Sequence, residues 1–447
     1  MSNQLNKLSL EQEVQQNKTV SGLKKNHEAR AKSLKIAVES NAFISLDENV
    51  INGEMPSLTA NNSPLFGLVF SCKDNINTRQ FPTTVGTPSL RNFYPAKSAS
   101  IISKLESLGA KLCGKNNMHE LSFGVTSYNH YWGNVLNPKH PSYIAGGSSG
   151  GSAVAVVTGA CSFSVGTDTG GSVRIPAALC GLTGFRPSTN RYPSDGVFPV
   201  SSTKDTPGLI AKSVEDICLL DASIMNTPKP NPKKPKRVGI PSKVLWGETS
   251  DNMSSVCTRV LTKLKNDGIE LIEFDDSLFY EKNQLVQFPV PFYEFFIDFP
   301  RFLLNQNIDT SLEDIIENLG DEAIKSILRD GISESSISKS DYILGLSTIR
   351  ELRNDWTKLF LENNFDLVIY PTIASDIPHI EQAHMPEVFQ KLVKNTDLAS
   401  TLGIPSITVP IARENELSVG LSIDGLANED YSLLEKSSYI SALINKA

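Results

Sequence analysis

The chain has 447 residues, 40% of them apolar and 20% charged, a globular balance that excludes a disordered, collagen-like or coiled-coil polypeptide. Forty-two Lys and Arg against 49 Asp and Glu give a net charge of -7, which argues against a general nucleic-acid or acidic-membrane surface. A chain of this length buries about three quarters of its unfolded surface, so neither a disulfide nor a metal is needed to hold it.

The first twenty residues are polar and lack the apolar core of a secretory signal. No stretch reaches the roughly 18 uninterrupted apolar residues of a membrane span. Residues 1–19 are expected to form a polar N-terminal arm, with weak helical periodicity continuing to residue 40. Leu65 to Cys72 (LFGLVFSC) is a short apolar run bounded by Pro64 and Lys73, the pattern of a buried strand. Ser98 to Leu108 has apolar positions at helical spacing and stops at Gly109, after which Lys111–Gly114 reads as a strand. This helix–strand alternation recurs to residue 225 and predicts an α/β fold.

Thr227 to Arg237 (TPKPNPKKPKR) holds four prolines among five basic residues. Such a run makes neither a helix nor a central strand, and a solvated connector is a better reading than a nucleic-acid patch. Val238–Pro241 follows as a strand, and residues 252–267 and 309–361 look mainly helical, predicting a helical excursion over about 250–360. Asp366–Tyr370 and Ile404–Ile411 read as strands, and Leu417–Ile423 alternates like a half-buried one.

The cysteines, Cys72, Cys113, Cys161, Cys180, Cys218 and Cys257, form no C-x-x-C pair. A zinc or thioredoxin-type site is therefore not expected, and scattered thiols with apolar neighbours predict a reduced, cytoplasmic protein.

The chemistry concentrates in Ala145 to Arg186. Gly146-Gly147-Ser148-Ser149-Gly150-Gly151-Ser152 is followed by Gly166-Thr167-Asp168-Thr169-Gly170-Gly171-Ser172. Two such loops offer close backbone approach, free N–H donors and small hydroxyls. No Lys follows either cluster as a P-loop requires, and G-x-G-x-x-G is absent, so nucleotide binding is not expected. Gly147 to Gly151 matches the G-x-S-x-G nucleophile elbow around Ser149, but the preceding Asn137–Tyr143 carries two prolines and makes a poor central strand. The histidine such an elbow needs would be His379 or His384. A third reading uses Ser172, with the Gly170-Gly171 amides as oxyanion donors. Its base would be a buried lysine, Lys73, whose ammonium form burial would disfavour.

Ala145 to Arg186 closely resembles the signature of the amidase signature family, and Lys73, in a Lys-Asp-Asn-Ile context, stands at that family's separation from the two serines. The resemblance implies an α/β amidase signature fold, a mixed central β-sheet flanked by α-helices on both faces, spanning residues 20–440 with its signature core at about 60–225. It implies that Ser172 is the nucleophile, Ser148 the bridging serine after a cis peptide, and Lys73 the base of an acyl-enzyme mechanism. The oxyanion hole would be the backbone N–H groups of Thr169, Gly170, Gly171 and Ser172, with no metal and no cofactor. Asp168 and Arg174 read as a structural pair fixing the loop.

Met118 to Gly124 with Thr126-Ser127 is similar to a stretch of the indoleacetamide and mandelamide hydrolase branch, and Arg191-Tyr192-Pro193 with Asp195, Pro199-Val200-Ser201, Lys204-Asp205-Thr206 and Val419 to Ala427 are similar to its indoleacetamide hydrolases. The second loop departs from that branch in carrying Gly170-Gly171, the general family form. The resemblance thus implies hydrolysis of a small arylacetamide-like amide, with a homodimer allowed. Rival implications are a glutaminase subunit of a tRNA-dependent amidotransferase, which would need partners and polar groups for glutamine, or an inactive amidase-fold binding protein. His119 reads as a positioned structural histidine rather than a base. Phe288, Phe292, Tyr293, Phe295, Phe296, Phe299 and Phe302 include a helical stripe, read first as core and second as the lining of an aromatic acyl pocket.

Overall fold

The computed structural model describes residues 4–52, 62–247, 249–332, 337–411 and 417–445. Eleven strands form one mixed sheet: β1 (Phe43–Leu46), β2 (Val69–Lys73), β3 (Lys111–Asn116), β4 (Phe163–Asp168), β5 (Thr183–Arg186), β6 (Thr206–Ala211), β7 (Arg237–Pro241), β8 (Glu270–Phe274), β9 (Leu367–Pro371), β10 (Ser406–Pro410) and β11 (Gly420–Asp424). Their order is β1-β3-β2-β4-β6-β5-β10-β11-β9-β7-β8. β2 runs parallel to β3 and β4, and β7 parallel to β8 and β9, while the pairings between β4 and β9 are antiparallel.

Both faces of the sheet are covered, as alternation along one strand shows. Leu209 and Ala211 of β6 belong to a cluster with the helices Val214–Met225 and Asp430–Ile444. Ile210 between them packs with the helices Gly150–Val157 and Arg174–Cys180. A strand buried on both sides loses polar–apolar alternation, which explains the apolar run that ends in β2. The same burial corrects the expectation for the last strand: all five residues of β11 are buried, because β10 and β9 flank it.

The segment before residue 20 lies against the domain. In the helix Leu10–Asn17, Leu10 and Val14 enter the main core, and buried Glu13 pairs with Arg30. The interval 250–360 contains the helices Asp251–Asn266, Ser277–Gln287, Pro289–Asn305, Leu312–Glu317, Glu322–Ile332 and Lys339–Asn363, and also β8. β8 went unseen in the sequence because it is a half-covered edge strand, with Glu270 and Glu273 exposed. β2 lies between β3 and β4, so the chain leaves it to one side and returns on the other. The carboxyl ends of strands at such a reversal are where open α/β sheets place ligands. Lys73 ends β2 and Asp168 ends the adjacent β4.

Candidate active site

Lys73, Ser148 and Ser172, distant in sequence, meet at that reversal. Lys73 is wholly buried; its Nζ donates to Ser148 Oγ at 2.7 Å and to Thr167 Oγ1 at 2.6 Å. Ser148 N–H donates to Ser172 Oγ at 3.2 Å, so the two serines join through a backbone amide. Burial pulls the Lys73 amine down to about 7, with Asp205 and Asp168 pulling the other way. An amine poised there exchanges protons near neutrality, which an ordinary surface lysine does not.

Glycines make the first loop possible. Gly147 has φ +62°, and a Cβ there would fall 2.4 Å from Pro176 Cδ. No cis peptide bond occurs among the described residues, so the cis bond expected before Ser148 is a trans one, and the positive φ of Gly146 and Gly147 turns the chain instead. Ser149, the elbow candidate, lies off the cavity: its hydroxyl donates to Thr167 O at 3.3 Å and it begins the helix Gly150–Val157. His379 packs edge-on against Tyr143, and His384 lines the cavity described below.

The second loop is shaped by Asp168. Its carboxylate accepts from Gly171 N–H (3.0 Å), Val173 N–H (3.2 Å), Arg174 Nε (3.1 Å) and Nη2 (2.9 Å), Arg186 Nη1 (3.1 Å) and Ser400 Oγ (3.0 Å). Burial alone would raise its pKa, but the two guanidiniums prevail and hold the carboxyl well below the usual carboxylate range. The expected Asp168–Arg174 pair is thus part of a larger hub.

Of the four amides expected in an oxyanion hole, that of Gly171 is engaged inward by Asp168. The amides of Thr169, Gly170 and Ser172 show no partner among the described residues. The loop is braced further by Thr169 Oγ1 donating to Asp205 Oδ1 (2.5 Å) and Thr396 Oγ1 donating to Gly170 O (2.6 Å). Thr396 also explains Gly171, whose φ is +124° and whose Cβ would lie 2.1 Å from Thr396 Oγ1.

Thr169, Gly170 and Ser172 form one wall of a cavity of about 330 Å³. The same cavity is lined by Phe123, Phe288, Phe292, Ile324, Ile327 and Phe389. The phenylalanine stripe divides along Phe288 and the helix Pro289–Asn305 that follows it. Phe288 and Phe292 line the cavity, Phe292 with its other side in the core, whereas Phe295 and Phe299 are core alone, Phe295 edge-on to Phe123 and Phe299 tilted against Phe198. Thr167 and Asp205 were missed as site residues, although Thr167 lies inside the glycine–serine motif. Phe123 and Phe389 were missed because only folding brings them to one cavity.

A family model described as Amidase matches residues 29–434. The indoleacetamide hydrolase of Pseudomonas savastanoi is 42% identical over 385 residues, 86% of this chain and 84% of that protein. That of Agrobacterium vitis is 36% identical over 393 residues, 85% and 84% of the two chains. Among solved structures, a crystal structure of an amidase is 28% identical with a TM-score of 0.81, covering 94% of this chain and 95% of the other. The peptide amidase of Stenotrophomonas maltophilia shares the fold, with a TM-score of 0.81 at 22% identity over 99% of this chain and 98% of that one. A glycine–serine site at the sheet reversal, a family model over most of the chain and relatives of one kind agree: the chain is a hydrolase acting on amides and belongs to the amidase signature family.

Proposed function

We propose that the protein hydrolyses a small arylacetamide-like primary amide, of the indole-3-acetamide or mandelamide kind, to the carboxylic acid and ammonia. The observation that carries this reading is the single cavity in which Ser172 and three unpartnered amides face four phenylalanines. Flat apolar walls suit an aromatic acyl group, at about 25 cal/mol for each Å² of apolar surface removed from water. The resemblance of the relatives called indoleacetamide hydrolases supports the same substrate class.

In this reading Ser172 is the nucleophile. Its hydroxyl turns from the Ser148 amide to the Ser148 hydroxyl, and neutral Lys73 accepts the proton that Ser148 relays. Ser172 Oγ bonds to the amide carbon, and the carbonyl oxygen becomes an oxyanion held by the amides of Thr169, Gly170 and Ser172. The Gly171 amide shapes the loop instead. Collapse breaks the C–N bond, and the proton stored on Lys73 returns through Ser148 to the departing nitrogen, releasing ammonia. Water then attacks the acyl-enzyme by the same relay, restoring Ser172 and giving the acid.

The partner in this reading is a small molecule; a homodimer is the assembly to test by sedimentation. We place the reaction in the cytoplasm, in keeping with six buried free thiols and with no described helix long and apolar enough to cross a membrane. The test is ammonia release from indole-3-acetamide, phenylacetamide, acetamide and glutamine by the isolated chain. The aryl amides should lead in kcat/KM by an order of magnitude or more; a tenfold lead for glutamine or acetamide overturns the reading.

A further inference from the structure

The cavity's walls are mainly apolar, yet His119 and Ser122, two of the residues that form them, carry buried polar atoms that no other described residue engages. His119 lines the cavity and is buried, and its Nε2 has no hydrogen-bond partner among the described residues. Ser122, three residues on, lines the same cavity, and its Oγ is also buried without a partner. Leaving such groups unsatisfied is costly, so in a folded protein they ask for a reason.

The segment is also strained. Leu121 and Ser122 have φ of +53° and +60°, a region that side-chain-bearing residues rarely occupy and that clusters at ligand sites. Room for the imidazole is built in: a Cβ on Gly124 would fall 2.1 Å from His119 Nε2, so the ring occupies the space that glycine leaves. The other ring nitrogen, Nδ1, contacts Thr126 Oγ1 at 3.4 Å. Burial draws the imidazole down to about 4, with Asp321 opposing, so the ring is neutral at physiological pH. His119 is tied to the reacting groups as well, since its backbone N–H donates to Ser148 O at 3.3 Å.

We propose that His119 is a specificity-determining residue whose imidazole accepts a hydrogen bond from an N–H or O–H on the aromatic ring of the acyl group, with Ser122 as the second polar contact on that wall. When Nδ1 donates to Thr126, Nε2 keeps a bare lone pair, which matches a ring N–H donor. The inference rests on the arylacetamide reading and narrows it to rings that bear a donor. A wall built to bond such a donor discriminates strongly against a ring of the same shape that lacks it, because the imidazole is then left unpaired.

The test compares kcat/KM for indole-3-acetamide and for its benzofuran isostere, in which oxygen replaces the ring N–H, for the wild type, His119→Leu, His119→Gln and Thr126→Val. The wild type should favour the indole at least tenfold. His119→Leu should bring the ratio near unity, His119→Gln should recover part of it, and Thr126→Val should lower it. A wild-type ratio near unity, with both substrates turned over, overturns the role of His119 and leaves the arylacetamide reading intact. So does an equal fall for both substrates in His119→Leu, the mark of a structural role. If neither aryl amide is hydrolysed while acetamide or glutamine is, both readings fall together. Should His119→Leu fail to fold by circular dichroism, His119→Gln and Thr126→Val decide by the same ratios.

Discussion

The two sides of the cavity are built in opposite ways. The side that holds Ser172, the proposed nucleophile, comes from the ends of β2 and β4 and two short loops, where Lys73 and Asp168 are buried and each makes several hydrogen bonds. The side proposed to take the acyl group, here the acyl side, comes from residues near 123, 288–292, 324–327 and 389, whose side chains are mostly apolar and in part exposed, Phe288 by 45%. The reacting side tolerates little movement, because each hydrogen bond there fixes another. The acyl side depends on shape and area, which many side chains can supply. One family can therefore keep one chemistry while its members differ in substrate.

That contrast is breakable by experiment. Ser172→Ala should lower kcat/KM on the order of a million-fold for every amide tested, by analogy with loss of other serine nucleophiles. Ser148→Ala should cost less, as water can relay part of the proton. Burst trapping that finds the acyl group on another serine would refute the assignment. Lys73→Arg should lose activity about as completely as Lys73→Ala, since a guanidinium stays protonated and cannot act as a neutral base. Near-wild-type turnover by the Arg variant would reduce Lys73 to a fixed charge.

Asp168→Ala leaves two buried guanidiniums without their carboxylate and should destabilise the fold by about 3–5 kcal/mol, read from urea midpoints. A shift under 1 kcal/mol would mean that the hub is dispensable. The pH profile comes next. Burial lowers the Lys73 pKa to about 7, so the ammonium form accumulates as pH falls below that value. kcat/KM should then drop about tenfold per pH unit on the acid side and level off above it. A limb near the ordinary lysine pKa would show that the amine is not desolvated in the working enzyme. The smallest effect belongs to the acyl side: Phe292→Ala should cost about tenfold in kcat/KM for aryl amides and little for acetamide. Equal losses would leave Phe292 a core residue with no part in substrate choice.

How legible each side was in the sequence follows from the same contrast. Ser148, Ser172 and the Asp168–Arg174 pair lie within one stretch of glycines and small hydroxyls, so the motif is visible without the fold. Lys73 stood out as a charge ending an apolar strand. The acyl side shows only as a periodic stripe of phenylalanines, and periodicity finds a buried face without saying what lies opposite it. Phe292 and Phe299 share that stripe, yet one meets a cavity and the other Phe198. For the fold, strands buried over most or all of their length, such as β10 and β9, announced themselves by hydrophobic runs. β8 did not, because an edge strand with exposed glutamates carries a weak signal.

Asp168 has one more consequence. Its carboxylate joins the amides of Gly171 and Val173 to Arg186 at the end of β5 and, through Ser400, to the helix Asp397–Leu402. The Ser172 loop is therefore anchored to segments separated by some two hundred residues, and it cannot open by itself as a surface loop does. In amide hydrogen exchange, the Gly171 and Val173 protons should be replaced by deuterium only when the middle of the sheet comes apart. This short glycine-rich loop would then count among the slowest-exchanging parts of the molecule, with the rigidity of the core it is tied to.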